Sequence, residues 1–148
     1  MYETVVIATD GSEGVQKAID EGIALANLTD AAVHGLYVVD DRAYVTMPDA
    51  DLLGVTEALE AEGERAVTEV DERAAAAGVE SETAVEHGSP AAEIVAYADR
   101  VDADLITVGA HGRSGVERLL LGSVTENVVR RTDQPVHVVR VEDGDGER

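Results

Sequence analysis

The sequence predicts an α/β fold, a single domain on a doubly wound parallel sheet of five strands. Three observations predict it. Hydrophobic spacing alternates between strand-like runs and a helical repeat of three and four, giving β-α-β-α-β-α-β-α-β from end to end. The strand-like runs are rich in Val and Ile, and one of them, residues 104–109 (DLITVG), is apolar on both faces, as in a sheet covered on both sides by helices. The length of 148 residues matches one domain and can bury one real core.

Residues 3–9 (ETVVIAT) form a short β-branched run stopped by Asp10-Gly11, a strand followed by a turn. Val15, Ala18, Ile19, Gly22, Ile23 and Ala26 then line one helical face. Residues 32–39 (AVHGLYVV) read as the second strand, ended by Asp40-Asp41, and residues 42–50, which contain Pro48, as a loop. A long helix follows, with Leu52, Val55, Leu59, Gly63, Ala66, Val70 and Ala74 on one face and an end near Gly78.

Residues 79–86 (VESETAVE) are a more polar strand, suited to a sheet edge. Ser89-Pro90 opens the next helix, with Ser as a cap and Pro at the first helical position. The fourth strand, residues 104–109, belongs in the middle of the sheet. Residues 116–131 are helical in pattern but interrupted at Gly122-Ser123, and residues 135–141 (PVHVVRV) are the last strand. The domain is expected over residues 1–141, with 142–148 a disordered acidic tail.

The core must be built without Phe, Trp or Cys, so Val, Ala, Leu and Ile fill it. Disulfides and thiol chemistry are excluded. Asp and Glu number 31 against 11 Lys and Arg, a net charge of -20, and Lys17 is the sole lysine. Such a field repels nucleic acid and anionic membranes, so neither is an expected partner. Two readings of the charge stand: an acidic surface for a basic partner, or halophilic adaptation, in which surface repulsion is screened over about 3 Å at 1 M salt. No basic leader with an apolar run opens the chain and no stretch of about 18 apolar residues occurs, so a cytoplasmic protein is expected.

Doubly wound sheets bind ligands at the carboxyl ends of strands where the strand order reverses. Two strand ends combine glycine, hydroxyls and charge. The first is Ala8-Thr9-Asp10-Gly11-Ser12, where Asp10 could accept from a ribose hydroxyl or help hold a metal, or where Asp10 or Ser12 could simply cap the next helix. The second is Gly109-Ala110-His111-Gly112-Arg113-Ser114-Gly115, followed by Gly122-Ser123-Val124-Thr125-Glu126. Three glycines in seven residues allow close backbone approach to a ligand, and Arg113 could meet phosphate oxygens. Gly122-Ser123 opens a helix whose free N–H groups suit an anion, with Ser123 and Thr125 adding hydroxyls. The same residues, Ser123 to Glu126, also fit a capping box that needs no ligand.

No Gly-x-x-x-x-Gly-Lys-Ser/Thr occurs, and the first strand-to-helix turn lacks Gly-x-Gly-x-x-Gly, so a Walker-type NTPase and a dinucleotide fold are both excluded. His34 and His137 lie in strand patterns and His87 in a turn, and no pair has zinc-ligand spacing. His111 lies in the glycine loop with no paired carboxylate or nucleophile, so no catalytic residue is assigned.

Gly109-x-x-Gly112, nine residues, then Gly122-Ser123 resembles the Gly-2x-Gly-9x-Gly-Ser/Thr signature of ATP-binding universal stress proteins. The resemblance extends over VVIATDGSE, LYVVD, GSPAAEIVAYA, DLITVGAHGRSG and LLLGSVTENVVRRTDQPV, nearly the whole chain. It implies a Rossmann-like sheet of the adenine nucleotide alpha hydrolase type in order 3-2-1-4-5, with ATP or another adenine nucleotide and Mg²⁺ as cofactors. By resemblance, Ala8, Thr9 and Asp10 border adenosine and phosphates, Val38 packs by the adenine, and Asp10 bears on the metal. Gly109, Ala110, His111, Gly112, Arg113, Ser114 and Gly115 wrap ribose and phosphates, and Gly122, Ser123, Val124 and Thr125 hold the phosphate end. Ala8 departs from a proline common in relatives, a change that removes no donor. The resemblance also implies a homodimer through the last strand, between Val136 and Val141.

Three functions follow as expectations. The first is an ATP-binding stress-response switch or sensor. A slow ATPase or phosphotransfer enzyme, using Asp10 with Mg²⁺ and Arg113, is the second. A nucleotide-independent dimeric scaffold or chaperone-like protein is the third.

Overall fold

The computed structural model describes residues 2–40, 42–44, 46–112 and 122–142. Among the described residues, ten elements follow in order: β1 (Thr4–Ala8), α1 (Val15–Thr29), β2 (Ala32–Val39), a 3-10 turn (Arg42–Tyr44), α2 (Asp49–Ala76), β3 (Ser81–His87), α3 (Pro90–Arg100), β4 (Leu105–Gly112), α4 (Ser123–Arg131) and β5 (Val136–Glu142). The strands form one parallel sheet in the order β3-β2-β1-β4-β5. Strand order therefore reverses between β1 and β4, as the resemblance implied.

Side-chain alternation sends neighbouring residues of β1 to opposite faces. Val5 and Ile7 pack with Ile19, Ile23 and Val70 on the side covered by α1 and α2. Val6 packs with Leu36, Ile94, Ile106 and Val128 on the side covered by α3 and α4. Helix and sheet approach closely on the first side, because a β-carbon on Gly35 of β2 would lie 2.9 Å from Val70 Cβ. Likewise a β-carbon on Gly63 of α2 would lie 2.7 Å from the Tyr37 ring. Small residues at these crossings let α2 lie close against the sheet, with the Tyr37 ring seated on Gly63.

Helix ends account for several boundaries. At the end of α2, Gly78 (φ 75°) sends its N–H to the Ala75 carbonyl at 3.0 Å and Val79 sends its own to Ala74 at 2.8 Å, a Schellman closure. Asp30 and Asp102 occupy the same left-handed position after α1 and α3, with φ of 61° and 55°. Carboxyl side chains tolerate that region better than most, but less well than glycine.

The structure corrects several boundaries read from spacing. Residues 42–50 are not all loop: they hold the 3-10 turn, and α2 begins at Asp49, where the Leu52 N–H reaches the Pro48 carbonyl at 2.9 Å. Asp49 and Asp51 favour that start by facing the positive end of the helix. Ser89 stands at the start of α3 but makes no side-chain capping bond. β4 continues beyond Gly109 to Gly112, because Val141 and Glu142 of β5 offer it partners. Of the expected tail, Glu142 ends β5, and residues 143–148 lie outside the described residues.

The two sheet borders differ in chemistry. β3 shows Glu82 and Thr83 to solvent, with Glu86 paired to Arg100 at 3.1 Å. β5 shows Val138 instead, 36% exposed. Among the described residues, no helix is long and apolar enough to cross a membrane.

Candidate functional site

A cavity of about 350 Å³ opens at the carboxyl ends of β1, β2 and β4, against the starts of α1, α3 and α4. Its described lining is Ala8, Thr9, Asp10, Val15, Leu36, Tyr37, Val38, Pro90, Ile94, Val108, Gly109, Gly122, Ser123, Val124, Thr125 and Val141. Two strand ends far apart in sequence thus meet at the point of strand-order reversal.

β1 supplies a braced turn. The Thr9 N–H reaches the Leu36 carbonyl at 2.9 Å, and Thr9 Oγ1 accepts from the Gly11 N–H at 3.1 Å. Asp10 Oδ1 accepts from both the N–H and the hydroxyl of Ser12, at 3.0 and 2.7 Å. Asp10 therefore closes its own turn and does not cap α1, whose N-cap is Gly14 without a side-chain bond. Gly11 takes φ 78°, and a β-carbon there would stand 3.4 Å from the Glu62 carboxylate and 3.7 Å from the Tyr37 ring. Burial pushes the Tyr37 phenol above the usual tyrosine range, and the charges of Glu62 and Asp10 add to the effect.

The starts of α1 and α4 face the cavity differently. At α1 the N–H groups of Val15, Gln16 and Lys17 turn back to the carbonyls of Ser12, Glu13 and Gly14, at 3.3 to 3.4 Å. That end is already satisfied. At α4 the first such bond is Glu126 N–H to Gly122 O at 2.9 Å. The N–H groups of Ser123, Val124 and Thr125 thus have no acceptor within the helix, and their positive dipole end suits an anion. No capping box closes it: Gly122 is the N-cap without a side-chain bond, and Glu126 pairs with Arg130 at 3.1 Å.

The sequence-predicted residues are partly united here. Ala8, Thr9, Asp10, Val38, Gly109, Gly122, Ser123, Val124 and Thr125 line the cavity. Thr125 does not offer its hydroxyl to a ligand as expected, because that group is buried and donates to the Gly109 carbonyl at 2.7 Å. Ala110 is buried in β4 and is not part of the lining. His111 and Gly112 continue β4, paired in register with Val141 and Glu142, so the expected glycine loop begins later than Gly109. Gly109 itself serves packing, since a β-carbon there would stand 3.3 Å from Val141 Cγ1. Arg113, Ser114 and Gly115 lie outside the described residues.

Spacing missed Val15, Leu36, Tyr37, Pro90, Ile94, Val108 and Val141. These residues carry ordinary core signals, and only the topology brings them to one wall. Together they give an apolar slot, an acidic turn at one side and open amides at the other. Such a slot takes a planar base, a carboxylate can accept from sugar hydroxyls, and the helix start can hold phosphate. Asp10 is the sole carboxylate in the described lining, which contains no histidine, lysine or arginine. A Mg²⁺ ion fits this donor set when phosphate and water supply most of its oxygens, with Asp10 beside it.

Comparison with known proteins places these features in context. Residues 1–140 match the family described as the universal stress protein family. A universal stress protein of Methanocaldococcus jannaschii is 40% identical over 141 residues, covering 95% of this chain and 83% of that protein. The solved universal stress protein UspA from Lactobacillus plantarum has a TM-score of 0.83 and 31% identity, covering 94% of this chain and 98% of that one. A solved universal stress protein in complex with cAMP has a TM-score of 0.73 and 34% identity, covering 93% and 97% respectively.

Proposed function

Because the chain belongs to the universal stress protein family, we propose that its cavity binds an adenine nucleotide, ATP with Mg²⁺, and that binding switches a cytoplasmic stress-response homodimer. The observation that carries this reading is the cavity at the β1/β4 reversal, which sets the Asp10 turn opposite the open amides of Ser123, Val124 and Thr125. The base would lie in the apolar slot between Val38, Ile94 and Val108, Asp10 would accept from the ribose, and the phosphates would meet the start of α4. The relative solved with cAMP supports the class of ligand.

Bound Mg²⁺ would neutralise phosphate charge in a strongly acidic protein. The rest is positioning by the chain: the Ser12 bonds hold Asp10 in place, and the Thr125–Gly109 bond fixes the start of α4. In the described lining neither a histidine nor a lysine stands ready as a base, which favours a binding switch over an enzyme. For the dimer, the exposed Val138 gives the β5 border an apolar side chain that pairing would cover.

Binding adds stability by mass action, about 2.7 kcal/mol at a hundredfold excess over Kd. The test is thermal unfolding with and without millimolar Mg-ATP, AMP and cAMP, with mass spectrometry of nucleotides released from the purified protein. Unchanged melting with all three and no released nucleotide would reject the reading.

A further inference from the structure

The helix α2 outruns the sheet it covers. It spans 28 residues, Asp49–Ala76, yet its buried residues, Gly63, Ala66, Val67, Val70 and Ala74, all lie in its second half. The apolar face nevertheless continues through the first half. Leu59 packs against the Tyr37 and Val39 cluster, and Leu52 and Val55 extend the same stripe half-buried. Leu53, on the flank of the stripe, is 60% exposed.

Charge around the stripe is all of one sign. Between Arg42 and Arg65 stand six carboxylates and not one Lys or Arg. At 3.6 residues per turn, Asp51 and Glu62 fall along one edge of the stripe and Glu60 along the other, beside Leu53, while Glu57 lies farther round, beyond Leu53. Glu60 also meets His87 at 2.7 Å, which ties this half of α2 to the end of β3.

We propose that the first half of α2 is a docking surface for a basic amphipathic helix of another protein, whose apolar residues cover Leu52, Leu53, Val55 and Leu59 while its Lys and Arg meet the flanking carboxylates. An apolar stripe with charged borders fits a helix with the complementary pattern. Two other occupants fit less well. A second copy laid on the same face would set carboxylate against carboxylate. An anionic lipid surface would be repelled by the same borders. The surface adjoins the nucleotide cavity through Tyr37 and Glu62, the latter beside the Gly11 turn, but the proposal does not rest on nucleotide binding.

The probe is a synthetic helical peptide of about 18 residues, with Leu at i, i+3, i+4 and i+7 and Lys or Arg elsewhere. Its control is a scrambled peptide of the same composition, and binding is read by fluorescence anisotropy across a KCl series. Both peptides feel the net charge, so preference for the patterned one is the measure. The full-length protein should bind it at least tenfold more tightly than the scramble. L52N/V55N, checked for native circular dichroism, should erase that preference, and L53S, which alters only an exposed side chain, should reduce it. Equal binding of both peptides would overturn the proposal and leave a non-specific field. So would a preference that survives both variants. Self-association lost in L53S without any peptide preference would assign the face to a second copy, and anionic-vesicle binding lost in L53S would assign it to a membrane.

Discussion

Thr125 Oγ1 donates a 2.7 Å hydrogen bond to the Gly109 carbonyl, fastening the first turn of α4 to β4 across 16 residues of chain. Thr125 is buried and the bond itself partly so, and its loss removes a donor from the Gly109 carbonyl. Thr125→Val, which keeps the shape, should cost roughly 1–2 kcal/mol of stability, whereas Thr125→Ser should keep most of it. If the bond positions the anion site, nucleotide affinity should fall in the valine variant beyond what its melting point suggests. Equal affinity in both variants, measured by titration calorimetry, would separate the bond from binding.

Gly122 offers a cleaner dissection. It takes φ -63°, and a β-carbon there would meet nothing within 4 Å. Substitution should therefore leave the free protein intact. Gly122→Ala is expected to shift stability by less than about 0.5 kcal/mol, and Gly122→Val to abolish stabilisation by Mg-ATP. Full ligand stabilisation in the valine variant would show that phosphate does not approach this backbone.

Asp102 is a site for gain. It holds a left-handed φ of 55° at the end of α3, with its N–H on the Asp99 carbonyl at 3.2 Å. Its charge also sits at the negative end of the helix. Asp102→Gly relieves both costs and should raise stability by roughly 0.5–1 kcal/mol in chemical denaturation. A loss of stability would mean that this carboxylate has a stronger role than its conformation suggests.

At high pH the tyrosines set a limit. Burial, above all, holds the Tyr37 and Tyr97 phenols above their ordinary range, with nearby carboxylates adding to it. An unfolded tyrosine ionises near pH 10 (about), before the folded ones do. Stability is therefore full below that pH and falls as pH rises through the raised folded values. Tyr37→Phe removes one such group, so its alkaline loss of stability should be shallower than in the parent protein. Identical pH slopes in denaturant melts would count against this origin.

The charge of -20 gives a salt prediction. Self-repulsion in the folded state is screened as salt rises. Melting temperature should therefore climb from low to molar KCl, and a flat or falling curve would remove the halophilic explanation.

Most of the fold was legible in the chain because alternation of period is a local signal. The β1, β2, β4 and β5 runs carry it plainly, and Gly78 and Pro90 mark helix limits that the structure places within two residues. Less legible was the extent of β4. His111 and Gly112 read as loop because glycine signals turning, whereas pairing with β5 holds them in the sheet. Non-local hydrogen bonding overrode local preference there. Within the site, polar and glycine positions such as Asp10, Gly122 and Ser123 stood out, while Leu36, Ile94 and Val108 could not. Their spacing is that of any core residue, and only the crossover connections make them a wall.

The unlike borders of the sheet have a consequence for how far assembly can proceed. Two copies joined along β5 would form one continuous ten-stranded layer, and each outer rim of that layer would be a β3 carrying Glu82 and Thr83 in solvent. A third copy would find no apolar strand left to extend. Growth would end at a closed pair, and the acidic rims would keep pairs apart in a crowded solution where an apolar rim would seed fibres.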